Sequence, residues 1–197
     1  GARSDPKGSV EVLMSTKHYP VQPGNWDRTG ARFLENGINF CCFSRDATSV
    51  ELLLFERDDS PEPFQSIQLD PGLNRTFFFW HVLVEHLPEG IFYGWRMDGP
   101  NETPVSGARF DVDKLLLDPW CRTLSDRLWD RQRACRPGDN LTTAMRAQLV
   151  QDDYDWEDAL HCQIPINDAI IYEMHVGGFS RHDSAQTKHP GTFRAVI

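Results

Sequence analysis

No apolar run in this chain approaches the roughly 20 residues needed to cross a bilayer, and residues 1–9 lack the apolar core of a signal peptide. A membrane partner is therefore set aside, and Met14 stands as a candidate native start. Lysine is scarce, and none occurs between Ala31 and Pro100. Lys and Arg together number 20 against 29 Asp and Glu, a net charge of −9. A nucleic-acid partner needs a basic patch, so that class is excluded too. The cysteines (Cys41, Cys42, Cys121, Cys135, Cys162) are odd in number and none is spaced like zinc ligands. They read as reduced thiols in a cytoplasm. No phosphate loop, nucleophile elbow or metal-binding helix motif occurs, so neither a cofactor nor a metal is expected.

What is present is ordinary globular material, 40% hydrophobic and 25% charged, sufficient for one or two domains. Residues 1–28 are polar and broken by Pro6, Pro20 and Pro23, which predicts an extended or disordered segment. A period of two then sets in. Ala31–Leu34 and Ile38–Phe43 flank Glu35-Asn36-Gly37, and Asn-Gly is a strong hairpin signal. Val50–Phe55 places Val50, Leu52 and Leu54 on one face, and Ile67 and Leu69 mark a weaker strand. Arg75–Val84 alternates Phe78, Trp80, Val82 and Val84 against Phe77, Phe79, His81 and Leu83, and Ile91–Met97 puts Ile91, Tyr93, Trp95 and Met97 together. Six or seven strands with regular turn signals make an antiparallel β-sandwich over residues 29–105.

Residues 106–166 read as an irregular connector. Asp111–Leu117 predicts a helical turn or two, stopped at Asp118 by Pro119; Asp126–Arg133 is another short helical candidate, and Met145–Val150 suits either helix or strand. Ala169–Val176 is apolar, β-branched and bounded by Asp168 and Gly177-Gly178, which predicts a strand buried on both faces. A polar loop and Thr192, a potential helix cap, follow it. Residues 167–197 thus predict the opening βα unit of something longer.

Three segments carry a resemblance: Ile171-Tyr172-Glu173-Met174-His175-Val176 with Gly178-Phe179-Ser180 and His189-Pro190-Gly191-Thr192-Phe193; Gly107–Pro119, containing Arg109-Phe110-Asp111 and Lys114-Leu-Leu-Leu-Asp118-Pro119; and Asp153-Tyr154-Asp155-Trp156-Glu157-Asp158. In this order they resemble the isoamylase-type glycogen debranching enzymes of glycoside hydrolase family 13. The resemblance implies an immunoglobulin-like module of the carbohydrate-binding module family 48 type, then the first strand of a (β/α)8 barrel. It implies hydrolysis of α-1,6 branch linkages in glycogen or limit dextrin, with α-glucan as partner. A glycogen branching enzyme, a trehalose-releasing hydrolase or a stand-alone α-glucan adaptor are the alternatives. The retaining carboxylates of such enzymes sit about 5 Å apart on later barrel strands, and a barrel takes roughly 250 residues. These residues are therefore expected to lack the catalytic carboxylates and to be inactive alone.

Tyr172, Glu173 and His175 are the candidates for lining the substrate cleft of the intact enzyme. The acidic run Asp152–Asp158 has no EF-hand spacing and reads as a solvated loop around Trp156. For sugar stacking, Trp26, Trp80 and Trp95 are available, since aromatic faces bury pyranose C–H groups. Trp80 and Trp95 alternate with large apolar residues, as core positions do. Trp26 lies in the Pro/Gly-bounded segment, where one loose ring predicts affinity of roughly millimolar or weaker. Regulatory-kinase modules of family 48 use two tryptophans and a lysine, and the lysine has no counterpart in this sandwich.

Overall fold

The structure, a computed structural model, describes residues 18–197; the expectation for residues 1–17 lies outside the described residues. Two compact units are present, one ending at Asp153 and one spanning Tyr154–Ile197. Among the described residues the first contains ten strands: β1 (Val21–Gln22), β2 (Gly30–Leu34), β3 (Gly37–Phe43), β4 (Ser49–Phe55), β5 (Gln65–Gln68), β6 (Arg75–Thr76), β7 (Phe79–Glu85), β8 (Phe92–Asp98), β9 (Thr123–Ser125) and β10 (Arg146–Gln148). One sheet runs β1-β7-β3-β2 with β6 also on β7, and the other runs β5-β4-β8-β10-β9. Every pairing is antiparallel.

The alternation read from sequence builds the core between the sheets. Ile38, Phe40 and Cys42 of β3 and Trp80, Val82 and Val84 of β7 face Val50, Leu52 and Leu54 of β4 and Tyr93 and Trp95 of β8. Each such side chain contributes about 1.5–3 kcal/mol on burial. Leu53 and Phe55 point the other way but are also buried, under Leu115 and Ala144. The β4 run is therefore apolar throughout because both its faces are covered.

Three local readings are corrected here. The β2–β3 loop is Glu35-Asn36, since Leu34 pairs with Gly37. Gly37 instead begins β3, where a Cβ would lie 2.2 Å from the Val84 carbonyl oxygen. The connector is not wholly irregular: β9 and β10 extend the second sheet, and Met145–Val150 resolves to strand. Asp111–Leu117 is not helical, because Leu116 exchanges backbone hydrogen bonds with Trp95 and is held extended. After the short helix α1 (Thr103–Ser106), helix α2 is Arg131–Cys135, capped by the Asp130 carboxylate accepting from Arg133 N–H.

The Lys114–Pro119 segment is a strap, and its polar residues are the reason it holds. Lys114 is nearly buried, and its ammonium donates to the carbonyls of Arg133 (2.8 Å), Arg136 (2.5 Å) and Gly138 (2.5 Å). Asp118 is fully buried and accepts from Tyr93 Oη at 2.9 Å and Trp120 N–H at 2.8 Å. At the end of β9 and just past it, Ser125 and Arg127 donate to Asp58 and hold its carboxyl well below the usual range. This pins the β4–β5 loop to β9.

Burial raises the Asp118 pKa, against the pull of the bonds from Trp120 and Tyr93. A carboxyl raised on folding favours the fold fully below its unfolded value of about 3.9, and that contribution is lost as pH rises through the folded value. Asp118→Asn carries no charge at any pH. Its deficit in unfolding free energy against wild type is expected to be larger near pH ~3 than near pH ~7 in urea titrations. Equal deficits at the two pH values would contradict a burial-raised carboxyl.

The second unit has one short helix, α3 (Val176–Phe179), and single 3-10 turns at Ile166–Asp168, Asp183–Ala185 and Phe193–Ala195. The strand expected at 169–176 does not form, and Ile170 and Ile171 are 98% and 79% exposed. A strand satisfies its backbone only by pairing, and among the described residues nothing pairs with this one. Ser180 is buried and accepts from Gly191 N–H at 2.9 Å, closing the polar loop. Among the described residues no helix is long and apolar enough to cross a membrane.

Candidate aromatic platform

The outer face of the β1-β7-β3-β2 sheet carries the positions that the core alternation leaves over: Asn39, Cys41 and Phe43 on β3, paired across to Leu83, His81 and Phe79 on β7. Polar groups there should meet solvent, yet Asn39 and His81 are 1% and 4% exposed. The cover is the segment joining β1 to β2. Gly24 presses so closely on this face that a Cβ would come within 2.7 Å of Asn39 Oδ1 and of the β7 backbone; its φ is +79°. Only glycine fits both demands.

Each buried polar side chain grips this segment. Asn39 Oδ1 accepts from Asn25 N–H at 2.7 Å, and Asn39 Nδ2 donates to Asn25 O at 2.9 Å. His81 Nδ1 lies 2.8 Å from Pro23 O. A carbonyl only accepts, so Nδ1 carries the hydrogen; in the neutral ring Nε2 accepts from the Thr76 hydroxyl at 3.0 Å. Asn74 Nδ2 donates to Pro23 O and to His81 O. Residues 18–28 thus run as β1 and a loop that side chains of the sheet hold in place. Composition reports a loop, and the loop is fixed by side chains distant in sequence.

The segment delivers Trp26, 45% exposed, beside β7. Its ring lies 6.1 Å from Phe79 with planes 36° apart, and 6.3 Å from Phe77 edge to face. Phe43 meets Phe79 at 5.4 Å and Phe78 at 6.1 Å, both edge-on. A groove of about 410 Å³ runs along Trp26, Asp27, Arg28, Thr29 and Phe79. Asp27 pairs with Arg32 at 3.0 Å. The groove therefore has an aromatic floor and a polar edge, the combination that takes a pyranose ring's C–H face and its hydroxyls.

Phe77 is out of the ordinary. Thr76 pairs with Phe79, so Phe77-Phe78 is a two-residue hairpin loop, and Phe77 has φ 55° with 78% exposure. Such positions favour Gly, Asn or Asp, and a bulky residue there costs about 1–2 kcal/mol. The turn presents an aromatic ring at the hairpin tip despite that cost.

Trp80 and Trp95, the other two sugar-stacking candidates, are 0% and 1% exposed. Trp80 Nε1 donates to Ser44 O, and Arg75 covers its ring at 5.0 Å. A buried ring offers no face to a sugar, so of the three candidates only Trp26 is accessible. Phe43, Phe77, Phe78 and Phe79 join Trp26 in this aromatic cluster, and the run Phe77-Phe78-Phe79 is its signal in the sequence. Within the second unit Tyr172 is 75% exposed, with its ring edge-on to Phe179 at 6.3 Å. Glu173 is exposed, and His175 uses Nδ1 to accept from Gly178 N–H at the start of α3.

Residues 28–121 match the carbohydrate-binding module 48 family, described as the isoamylase N-terminal domain. Over 191 residues the chain is 32% identical to the chloroplastic isoamylase 1 of Arabidopsis thaliana, covering 95% of this chain and 24% of that one. Over 185 residues it is 37% identical to a glycogen debranching enzyme of Pectobacterium atrosepticum, covering 89% of this chain and 27% of that one. Among solved structures, the catalytic module of a glycogen-degrading pneumococcal virulence factor shares the fold, with a TM-score of 0.60 at 20% identity over 88% of this chain and 25% of that one. A pullulanase of Paenibacillus barengoltzii does so with a TM-score of 0.59 at 18% identity, over 88% of this chain and 23% of that one. The chain spans about a quarter of the length of the curated relatives it matches.

Proposed function

We propose that the chain, whose residues 28–121 match the carbohydrate-binding module 48 family in its isoamylase N-terminal form, is the N-terminal part of an enzyme hydrolysing α-1,6 branch linkages in glycogen or limit dextrin. The observation that carries this reading is the extent of the likeness: isoamylases and glycogen debranching enzymes align along 89–95% of the chain at 32–37% identity. Residues 167–197 are then the first βα unit of the catalytic barrel, and its strand forms when further strands supply partners. Tyr172, Glu173 and His175 contribute to the cleft of that enzyme, and the five free cysteines favour the cytoplasm.

Within this enzyme the sandwich holds α-glucan on Trp26 and Phe79. Rings 36° apart follow the bend of an α-1,4 chain better than a flat β-1,4 ribbon. The millimolar expectation for Trp26 assumed a loose ring. Asn39 and His81 order its segment on folding, so the ordering entropy is not charged to binding. Calorimetric titration of residues 1–197 with maltoheptaose is expected to give a sub-millimolar Kd. Trp26→Ala and Phe79→Ala should each weaken it about tenfold, or ~1.4 kcal/mol. No heat of binding, or affinity that both variants leave unchanged, would remove the platform; equal affinity for cellohexaose would remove the α-glucan selectivity.

A further inference from the structure

We propose that Asn39, Gly24 and His81 form a latch whose function is to position Trp26; the glucan-binding consequence rests on the platform reading above. Two buried polar side chains sit outside the core between the sheets. Asn39 and His81 occupy adjacent non-core positions of β3 and β7, where solvent would satisfy them without any cover. Instead both are buried, and both of the polar groups of the Asn39 side chain are matched to one residue, Asn25. That match requires a carboxamide: a carboxylate lacks the donor for Asn25 O, and a leucine lacks both groups. Gly24 brings the backbone into reach, and His81 with Asn74 fixes Pro23 O.

The result is a backbone clamp over Pro23, Gly24 and Asn25 that ends one residue before Trp26. Trp26 N–H then donates to Asn25 Oδ1 at 2.9 Å, and Cys41 Sγ lies 3.8 Å from Trp26 O. The indole is thereby held against Phe79 while 45% of Trp26 stays exposed. An exposed ring has little packing to hold it in one place. A clamp on the preceding backbone supplies the rigidity that packing does not, and it is released as a unit because each orphaned group costs about 1–3 kcal/mol.

Gly24→Ala tests this by pushing the segment off the sheet, since the added Cβ would meet Asn39 Oδ1 and the β7 backbone. Asn39→Asp removes the donor at nearly constant volume and serves where Gly24→Ala does not fold. Three readouts apply: fluorine NMR of fluorotryptophan-labelled protein, with the Trp26 signal identified by Trp26→Phe; amide exchange at residues 24–26 and 80–84; and maltoheptaose titration. The expected result is a Trp26 signal shifted towards that of free indole and faster exchange at 24–26, with 80–84 still protected. Affinity should fall about tenfold, with no additional loss when Gly24→Ala is combined with Trp26→Ala. A Trp26 signal unmoved in both variants overturns the latch, as does unchanged affinity where Trp26→Ala itself weakens binding. Where Trp26→Ala leaves affinity unchanged, the platform reading falls, and the fluorine signal alone decides the latch.

Discussion

Arg146→Ala is expected to destabilise the sandwich by about 3–5 kcal/mol, the range for breaking a buried charged network, and to lower its Tm by roughly 10 °C. Arg146 opens β10, next to the edge strand of the second sheet, and is 1% exposed. Its guanidinium donates to Arg57 O at 2.9 Å, Ser60 O at 2.7 Å and Leu141 O at 3.0 Å, and stacks on Phe55 at 3.7 Å. Among the described residues no carboxylate forms a hydrogen bond or ion pair with it. Burial lowers its pKa, and Asp58 and Asp59 act on it only through space. Alanine would strand three carbonyls, each at about 1–3 kcal/mol, and open a cavity under Phe55. Arg146→Lys should recover part of the loss, because an ammonium reaches carbonyls but cannot stack as a plane. Urea unfolding reads both variants. A change within about 1 kcal/mol for alanine would mean that water replaces the guanidinium and that the 56–61 loop does not depend on it.

Arg146 also shows where sequence reasoning stops. The strands β3, β4, β7 and β8 were legible because their core faces are apolar at a period of two, and seven residues show that period clearly. β10 is three residues long with a buried arginine at its first position, the opposite of what a core strand displays. The turn at Phe77-Phe78 was read through as strand, since phenylalanine carries no turn chemistry and the aromatic alternation continues past it. Residues 169–176 fail in the other direction: their composition suits a strand, but pairing is a property of neighbours. The platform was half legible. Trp26 stood out as an aromatic, while Asn39 and His81 looked like ordinary solvent-facing residues, and nothing local tells that a loop lies over them.

Lys114→Met should cost about 2–4 kcal/mol and free the segment around α2 before the sandwich unfolds. Methionine matches the length of the lysine stem and removes only the charge and its three donors. The carbonyls of Arg133, Arg136 and Gly138 converge on a side chain that is 9% exposed, so losing the ammonium leaves three acceptors facing one another with little water. Charge-assisted bonds of this kind each contribute about 1.5–3 kcal/mol. Rehydration from the open edge and relief of lysine's side-chain ordering offset part of that. Because the carbonyls come from the end of α2 and the loop after it, their loss acts first on residues 131–138, whose contacts are otherwise sparse. Leu115 stays buried against Leu53 and Phe55 regardless, so the strap itself should hold. Amide exchange is expected to rise at 131–138 while β4 and β8 remain protected, and urea unfolding should show the lower midpoint. Uniform loss of protection across both sheets would show that Lys114 supports the core rather than a local clamp, and no change at either place would show that the carbonyls are satisfied without it.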